Sequence, residues 1–326
     1  MKKVISLILS VVMILSLFAG CGADNASETS VDYKIAIVQQ LDHSSLDEIR
    51  TAIKAQLEAL AAQKNINILI DEFNGQNDQS MLNQIGAEVV SDEFDIIIPI
   101  ATLAAQCMVT AAEGTDIPIV YAASSDPEGA GLTGLSTVTG VSDALNTPFI
   151  LDMMFAVQPD VKTVGLLYSN SEVNSATPIA EAKAYLDAKG IEYLEKTGNT
   201  TDEIISAASS LVDRVDAVFT PTDNVVMAAE AAVAEILNGA GIPHYTGADS
   251  FVLSGAFTTC GVNYTELGTK TADIAMDILL GGEIGEFVVM DGGIITVNTD
   301  TAAALNLDYS AFSAMANTVI EVTTGE

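Results

Sequence analysis

The chain has 326 residues, enough for two domains of ordinary size that each bury a core. It carries 44 acidic and 12 basic residues, a formal net charge of −32, which argues against nucleic acid or anionic lipid as a partner because phosphates would meet no compensating charge. A well-solvated, soluble surface is the simplest explanation of the charge itself.

The N-terminal segment has the features of a signal peptide. Two lysines follow the initiator methionine, and an apolar run of the length expected for a secretory signal extends to Phe18. The segment ends in Phe-Ala-Gly-Cys, which resembles the bacterial lipobox except that Phe18 stands where leucine is usual. We expect residues 1–20 to be removed, Cys21 to carry the lipid, and residues 21–32 to form a tether. A plain secretory signal with a chance cysteine is the alternative.

After this segment, short apolar runs alternate with amphipathic helical patterns. Ser44 or Ser45, followed three residues later by an acidic residue, predicts a capping box on the first helix. Asp78 is expected to cap the second helix. Strands that alternate with helices of this length predict parallel sheets with helices on both faces. The first elements predicted are a strand over 35–38, a helix to 64, a strand over 66–70, a turn over 74–78 and a helix over 79–90.

Two long stretches of the chain follow the same plan. Residues 95–125 and 216–250 each begin with an acidic residue, an apolar run, a proline and small polar residues that open an alanine-rich helix. Upstream, residues 33–64 match residues 161–189 in the same way. A repeat of this length is too long for a solenoid unit and indicates two similar domains. We therefore expect an α/β fold of two similar, doubly wound parallel-sheet lobes with a ligand cleft at the carboxyl ends of their strands.

The chain is expected to cross between these lobes more than once. A Gly-, Thr- and Ser-rich stretch over 129–142 leads into a helix over 147–157, and the first crossing is placed there. The helix and strands predicted after residue 264 cannot all extend the second lobe, so multiple hinge crossings follow. The predicted N-terminal lobe covers 33–142 plus 262–290, and the C-terminal lobe covers 143–261 plus 291–326.

Short motifs occur in a fixed order along nearly the whole mature chain. They are Gln39 with His43-Ser44-Ser45-Leu46-Asp47; Ala101-Thr102-Leu103-Ala104-Ala105-Gln106; Ser125-Asp126-Pro127; Thr139-Gly140-Val141-Ser142-Asp143; Tyr168 with Glu172-Val173-Asn174-Ser175; Thr222-Asp223-Asn224; and Gly255-Ala256 leading to Tyr264 and Gly268. In these motifs the chain resembles the ABC-transporter substrate-binding lipoproteins of the tryptophan- and tyrosine-binding group, a branch of the type I periplasmic binding proteins related to leucine- and ribose-binding proteins. One departure is the Ser124-Ser125 pair, where a Val-Thr-like pair is expected.

The resemblance implies a function and partners. It implies the solute-binding component of an ABC importer, which holds a small zwitterionic ligand, an aromatic amino acid such as tryptophan, tyrosine or phenylalanine, and delivers it to a cognate permease. Together with the lipobox it implies an extracytoplasmic monomer that contacts the bacterial cell membrane only through its lipid. Nucleoside or sugar binding by the same fold, and a ligand-sensing module for a membrane receptor, stay open as alternatives.

Polar residues that follow strands are the candidate ligand contacts, because the carboxyl ends of the strands face the cleft. Ala101 and Thr102 open a helix whose N–H groups are expected to hold a carboxylate, with an ordinary helix cap as the alternative. Asp223, at the equivalent point of the second lobe, is expected to pair with an α-ammonium group, again with capping as the alternative. The other candidates, for which hydrogen bonding, capping or turn formation compete, are Gln39, His43, Ser44, Ser124, Asp126, Glu172, Asn174, Ser175, Thr222, Asn224 and Asp249.

The remaining signals concern the core and catalysis. Tyr121, Tyr168 and Tyr245 lie near strand ends and are candidates for the wall of an apolar pocket or for the core. Cys107 and Cys260 fall in different predicted lobes and are expected to be buried free thiols. The sequence has no nucleophile elbow, phosphate-binding loop or metal-ligand spacing. We therefore expect a binding protein with no enzymatic activity, cofactor or metal.

Overall fold

The computed structural model describes residues 31–325, so the predicted signal peptide and Cys21 lie outside the described residues. The strands are β1 (Tyr33–Gln39), β2 (Ile68–Asn74), β3 (Ile96–Ile100), β4 (Ile119–Ala122), β5 (Val138–Ser142), β6 (Thr163–Tyr168), β7 (Glu192–Thr197), β8 (Ala217–Thr220), β9 (His244–Thr246), β10 (Thr258–Gly261), β11 (Val288–Val289), β12 (Ile294–Asn298) and β13 (Thr318–Val322). The helices are α1 (Ser44–Lys64), α2 (Gln79–Ser91), α3 (Thr102–Ala111), α4 (Thr147–Val157), α5 (Ala176–Lys189), α6 (Thr201–Ser209), α7 (Asn224–Gly239), α8 (Asp249–Leu253), α9 (Tyr264–Leu279), α10 (Thr299–Ala304) and α11 (Phe312–Met315).

The strands form two sheets. The six-stranded sheet of the N-terminal lobe has the order β11-β5-β4-β3-β1-β2, and the seven-stranded sheet of the C-terminal lobe has the order β13-β12-β10-β9-β8-β6-β7. Neighbouring strands are parallel except for the antiparallel pair β10 and β12. The first five strands of each lobe follow the same doubly wound order, second-first-third-fourth-fifth. The predicted α/β fold of two similar lobes is therefore confirmed.

Burial explains why the central strands are apolar throughout. Every residue of β3 and β8 is buried, because helices cover both faces of a parallel sheet. The edge strands β2 and β7 consist of half-buried and exposed residues. The long apolar runs therefore mark the middle of each sheet, and the mixed runs mark its edges.

The acidic residue that begins each repeat has the same structural role in both lobes. The Asp95 carboxylate accepts a hydrogen bond from the backbone N–H of Lys34 at 2.7 Å. The Asp216 carboxylate accepts from the backbone N–H groups of Lys162 and Thr163 at 2.8 and 2.9 Å. Each carboxylate thus ties the start of the third strand of its lobe to the start of the first. The repeat preserves this contact as well as the strand order.

The chain passes between the two sheets three times, after β5, after β10 and after β11. After the second passage, α9 returns to the N-terminal lobe and packs along α1. Gly268 of α9 lies so close to α1 that a Cβ atom added to it would stand 2.6 Å from the carbonyl oxygen of Ile49. After the third passage, β12 joins the C-terminal sheet beside β10. The multiple hinge crossings that we expected are present.

Some local predictions differ from the structure. The N-cap residue of α1 is His43, whose side chain makes no capping hydrogen bond, so the predicted capping box at Ser44 or Ser45 is wrong. Ser45 is buried instead and donates its hydroxyl to Asp249 of the other lobe at 3.4 Å, a contact that local spacing does not reveal. Asp78 caps α2 as predicted, by accepting from the Met81 N–H. The second strand starts two residues later than predicted, and β13 and α11 had no predicted counterpart.

Cys107 and Cys260 are buried free thiols, as predicted. Burial raises the pKa of both, that of Cys260 to about 11, so both are protonated at neutral pH. Within residues 31–325, no three or more His, Cys, Asp or Glu side chains come together in a way that could hold a metal ion. In the same range, no helix has the length and apolar character that a membrane span requires.

We expect Gly268→Ala to lower the free energy of unfolding by about 1–3 kcal/mol, because the new methyl group would force α9 away from α1. Its Cβ would lie 2.6 Å from the Ile49 carbonyl oxygen and 2.8 Å from the Ala52 Cβ. Urea unfolding followed by far-ultraviolet circular dichroism measures the change. Gly239→Ala, at the end of α7, is the matched control, since a Cβ there meets no atom within 4 Å. Equal destabilisation of both variants would contradict the close packing of α1 and α9.

Candidate functional site

A cavity lies between the two lobes, at the carboxyl ends of their central strands. The loops after β1 and β3 line it from one side, and the loops after β6 and β8 line it from the other. These are the points where the strand order of each sheet reverses, and open α/β sheets bind ligands at such points. The cavity has an empty volume of about 380 Å³. Residues of both lobes line it, so a molecule held there would contact both.

Half of the predicted ligand contacts line this cavity. They are His43, Ala101, Thr102, Asn174, Thr222, Asp223 and Asn224. The others lie outside it, although several support residues that line it. They are Gln39, Ser44, Ser124, Asp126, Glu172, Ser175 and Asp249.

A buried hydrogen-bond network joins the lobes beside the cavity, and Glu172 is at its centre. One Glu172 oxygen accepts from the side-chain amide of Gln40 across the cleft at 2.9 Å, and the other accepts from the Asn224 amide at 2.7 Å. The Asn224 oxygen contacts His43 Nε2, again across the cleft, at 3.1 Å. Gln40 also accepts from the Leu103 N–H in the first turn of α3. The closed arrangement is thus held by side chains of the protein itself.

The charge of Glu172 is costly in this position. The side chain is buried, and burial raises its pKa, with a further increase from the nearby Asp223 carboxylate. The hydrogen bonds from Asn224 and Gln40 oppose this shift without cancelling it. No lysine or arginine of the described chain lies within salt-bridge distance of Glu172. Closing the lobes around an ionised Glu172 therefore carries an electrostatic penalty.

Asp223 is the N-cap residue of α7 and is fully buried. One carboxylate oxygen accepts from the N–H groups of Val225 and Val226 at 3.1 and 3.0 Å, and the other accepts from the Ser169 N–H and the Ser175 hydroxyl, both at 2.7 Å. Four donors occupy the acceptor positions that a carboxylate offers. The structure therefore favours the capping interpretation, and Asp223 has no free acceptor for the ammonium group predicted to pair with it.

Asp143 is a carboxylate of the cavity that the sequence analysis did not predict as a ligand contact. It follows β5 on the first passage between the lobes and is 6% exposed. Its oxygens accept from the Ser125 hydroxyl at 2.9 Å and the Tyr264 hydroxyl at 3.3 Å. Burial raises its pKa, and no cation of the described residues contacts it. Two donors leave acceptor capacity on this carboxylate, and it faces the cavity.

The start of α3 contributes a different kind of group. Ala101 precedes the helix with a φ of 77°, a left-handed conformation that strains a non-glycine residue by about 1–3 kcal/mol. Thr102 is buried beside it, and its hydroxyl lies 3.3 Å from the Ser124 hydroxyl. The first N–H groups of a helix are not used within the helix and carry partial positive charge. This end of the cavity is suited to an anionic group.

The apolar part of the cavity comes from residues that sequence reasoning missed. Leu46, Met227 and Phe251 line it and belong to the same buried cluster, which joins the two lobes. The tyrosines suggested for this role lie elsewhere. Tyr121 and Tyr245 are fully buried in the cores of their lobes, and Tyr168 donates its hydroxyl to Glu195 at 2.8 Å. The core interpretation is therefore correct for Tyr121 and Tyr245, whereas Tyr168 is half-buried at the edge of its core.

The polar residues that were missed share a recognisable position. Ser125, Asp143, Ser250 and Tyr264 also line the cavity, and each lies within a few residues of the carboxyl end of a strand. Asp143 and Tyr264 belong to the family motifs described above, but no ligand contact was predicted for either of them. At the end of β9 the sequence analysis predicted Asp249 as the ligand contact, whereas the next residue, Ser250, lines the cavity. Phe251 and Met227 carry no signal of their own, since an apolar residue in a helix is usually part of a core.

Comparisons with known proteins agree on one family. Residues 34–319 match the family model described as ABC transporter substrate binding protein. A tyrosine-binding protein of Clostridioides difficile strain R20291 is 33% identical over 322 residues, which cover 94% of this chain and 93% of that protein.

Two solved structures are similar over most of the chain. An ABC domain from Streptococcus pneumonia in complex with L-Trp is 30% identical with a TM-score of 0.82, covering 89% of this chain and 100% of that one. A ligand-free, open structure of a substrate-binding protein with adhesive properties from Clostridium difficile is 33% identical with a TM-score of 0.67, covering 90% and 99%. The chain thus superposes better on the liganded structure than on the open one, although its identity to the open one is slightly higher.

We expect the Glu172 carboxyl to make stability depend on pH. Because its pKa is raised in the folded protein, its contribution is most favourable below the ordinary carboxyl pKa of about 4.3 and is lost as pH rises through the raised value. Urea unfolding of wild type and Glu172→Gln at pH 5 and pH 8 measures this. The variant should gain about 1–3 kcal/mol relative to wild type between pH 5 and pH 8. Surface carboxylates affect both proteins equally, so parallel pH profiles would contradict the penalty assigned to Glu172.

Proposed function

The chain belongs to the ABC transporter substrate-binding protein family, and from that membership we propose that it binds a zwitterionic aromatic amino acid between its lobes. The similar tyrosine-binding protein and the similar complex with L-Trp support this ligand class. Membership in this family also implies a partner, the membrane permease of an ABC importer, which receives the ligand.

The observation that carries the proposal is the buried Asp143 carboxylate, which no cation in the described part of the chain contacts. A buried ionised carboxylate is costly unless a positive charge or enough donors compensate it. An α-ammonium group supplies both a positive charge and three N–H donors. We assign the ammonium site to Asp143 in place of Asp223, whose oxygens are already occupied by four donors of the protein.

The carboxylate of the ligand belongs at the start of α3. No lysine or arginine lines the cavity among the residues that the structure describes. A ligand carboxylate must therefore be held by N–H and hydroxyl donors. The Thr102 hydroxyl and the first-turn N–H groups of α3 provide them, apart from the Leu103 N–H, which already donates to Gln40. The strained backbone at Ala101 fits this role, since strain of this kind clusters at ligand sites.

The aromatic ring belongs against Leu46, Met227 and Phe251. Phe251 offers a ring for stacked or edge-to-face contact, and Met227 is flexible enough to adapt to the ligand. Leu46 comes from the N-terminal lobe, whereas the other two come from the C-terminal lobe. A ring bound here would contact both lobes at once and so favour the closed state.

Binding requires the lobes to open and close. Residues of both lobes line the cavity, so a ligand reaches it while the lobes are apart and is enclosed when they close. The three passages between the sheets are the hinges for this motion. The ammonium group then offsets the charge of Asp143 as the cleft closes, which makes closure with ligand more favourable than closure without it.

We also propose that the mature protein is anchored by a lipid on Cys21 and acts as a monomer outside the cytoplasm. The lipobox-like sequence around Cys21 and the polar stretch after it support this anchor. The ligand is released unchanged to the permease, as the role of a substrate-binding protein requires.

Binding of L-tryptophan can be followed directly, because the protein contains no tryptophan. Under excitation selective for indole, we expect saturable emission with a blue shift as the ring enters the apolar part of the cavity. Competition by unlabelled tyrosine should reverse the shift. If neither amino acid binds, the aromatic amino acid assignment is wrong, and native mass spectrometry of the purified protein should then be used to search for a nucleoside or sugar.

We expect Asp143→Asn to weaken binding of the amino acid by about 10- to 100-fold, because a charged hydrogen bond to the ammonium group is replaced by a neutral one. The same variant should unfold at a higher temperature than wild type without ligand, since it removes a buried charge. Isothermal titration calorimetry and thermal melting measure the two effects. Asp273→Asn, an exposed site on α9, is the control and should change neither. Unchanged affinity in Asp143→Asn would remove this carboxylate from the site.

A further inference from the structure

The hydrogen-bond network determines which nitrogen of His43 carries a proton. The Asn224 amide donates to the Glu172 carboxylate at 2.7 Å, so the Asn224 nitrogen is the donor end and its oxygen is an acceptor. That oxygen lies 3.1 Å from His43 Nε2. Nε2 must therefore carry a hydrogen and donate it to Asn224.

The other ring nitrogen of His43 has no partner. Nδ1 is buried and makes no hydrogen bond in the described structure, and His43 lines the cavity. Burial lowers the pKa of His43, and the Asn224 hydrogen bond and the charges of Asp47 and Asp42 oppose this only in part. The imidazole is therefore neutral at pH 7, and Nδ1 is an acceptor.

His43 is well separated from the ammonium site. It follows β1, whereas Asp143 follows β5, and β3 and β4 lie between these strands in the sheet. Three steps of about 4.8 Å separate β1 from β5 by about 14 Å within the sheet. An amino acid with its ammonium group at Asp143 can therefore direct its ring toward the β1 side of the cavity, where His43 lies.

A second unpartnered atom lies on the same side of the cavity. The Ser250 hydroxyl is buried, lines the cavity and makes no hydrogen bond in the described structure. The neighbouring Asp249 accepts from Ser45 at 3.4 Å, which places the start of α8 against the start of α1, next to the loop that carries His43. A buried polar atom without a partner is costly, and an atom of this kind in a ligand cavity marks a contact that the ligand supplies.

We propose that His43 Nδ1 accepts a hydrogen bond from a polar hydrogen on the ligand's ring, and that this contact selects a phenol or an indole over an unsubstituted phenyl ring. The inference rests on the proposed binding of an aromatic amino acid. Ser250 provides a second polar contact to the same end of the ring. Phenylalanine would fill the apolar part of the cavity but leave Nδ1 buried without a partner. A site built to hydrogen-bond a ligand O–H or N–H rejects the analogue that lacks it.

The experiment is isothermal titration calorimetry of the mature protein with L-tyrosine, L-tryptophan and L-phenylalanine at pH 7.5. Wild type should bind tyrosine and tryptophan at least about 10-fold more tightly than phenylalanine. In His43→Leu the affinity for tyrosine and tryptophan should fall by about 10-fold or more, and that for phenylalanine should change little or rise, so the preference is lost. Ser250→Ala should reduce the preference to a smaller extent.

Gln40→Ala is the matched control. Gln40 crosses the cleft to Glu172, as His43 crosses it to Asn224, but it does not line the cavity. This variant should weaken all three ligands by a similar factor and leave their ratio unchanged.

Two results would overturn the inference. One is an equal loss for all three ligands in His43→Leu, which would mean that His43 acts only through its contact with Asn224. The other is a wild-type protein that binds phenylalanine as tightly as tyrosine. Failure of wild type to bind any of the three would instead refute the proposed function, and the inference would fall with it.

Discussion

Two carboxylates are buried between the lobes, and no cation of residues 31–325 forms an ion pair with either of them. Glu172 and Asp143 are buried, and burial raises the pKa of each. Each is held by neutral donors only, Gln40 and Asn224 for the first, Ser125 and Tyr264 for the second. Neutral donors stabilise a carboxylate but do not compensate its charge. In the closed protein the ionised forms of these carboxylates are therefore destabilised, and a positively charged ligand would reduce that destabilisation.

The destabilisation of these buried carboxylates gives a physical reason for an equilibrium between open and closed lobes. Without ligand, the hydrogen bonds across the cleft, from Gln40 to Glu172 and from His43 to Asn224, favour closure, while desolvation of the carboxylates opposes it. A ligand shifts such an equilibrium only by the difference between its affinities for the two states. An ammonium group enclosed by both lobes has that difference, because its partner carboxylate loses water on closure. The contact between an ammonium group and a buried carboxylate would thus both select the ligand and favour closure of the lobes.

Capping and ligand binding compete for the same kinds of residue at the ends of strands, and here the structure divides them. The Asp223 carboxylate caps α7 and accepts from Ser169 and Ser175, and these hydrogen bonds fix the loop from which Asn224 and Met227 reach the cavity. The N-cap position of α1, by contrast, is filled by His43, whose side chain makes no capping bond and is directed into the cleft instead. The absence of a capping bond at His43 leaves its imidazole available to Asn224 and to the cavity.

Much of this was present in the sequence. The repeated acidic residue, apolar run and alanine-rich helix determined two lobes of the same α/β topology, because such patterns depend on local periodicity and on burial of whole strands. The strand ends also marked the neighbourhood of the site, including His43, Thr102 and Asn224. What only the tertiary structure decided was how many donors each carboxylate already accepts, since these donors lie far apart in the chain: Ser169 and Ser175 for Asp223, Tyr264 for Asp143. A hydrogen bond between residues 121 positions apart leaves no periodic or short-range pattern in the sequence. It can therefore be recognised only in the folded chain.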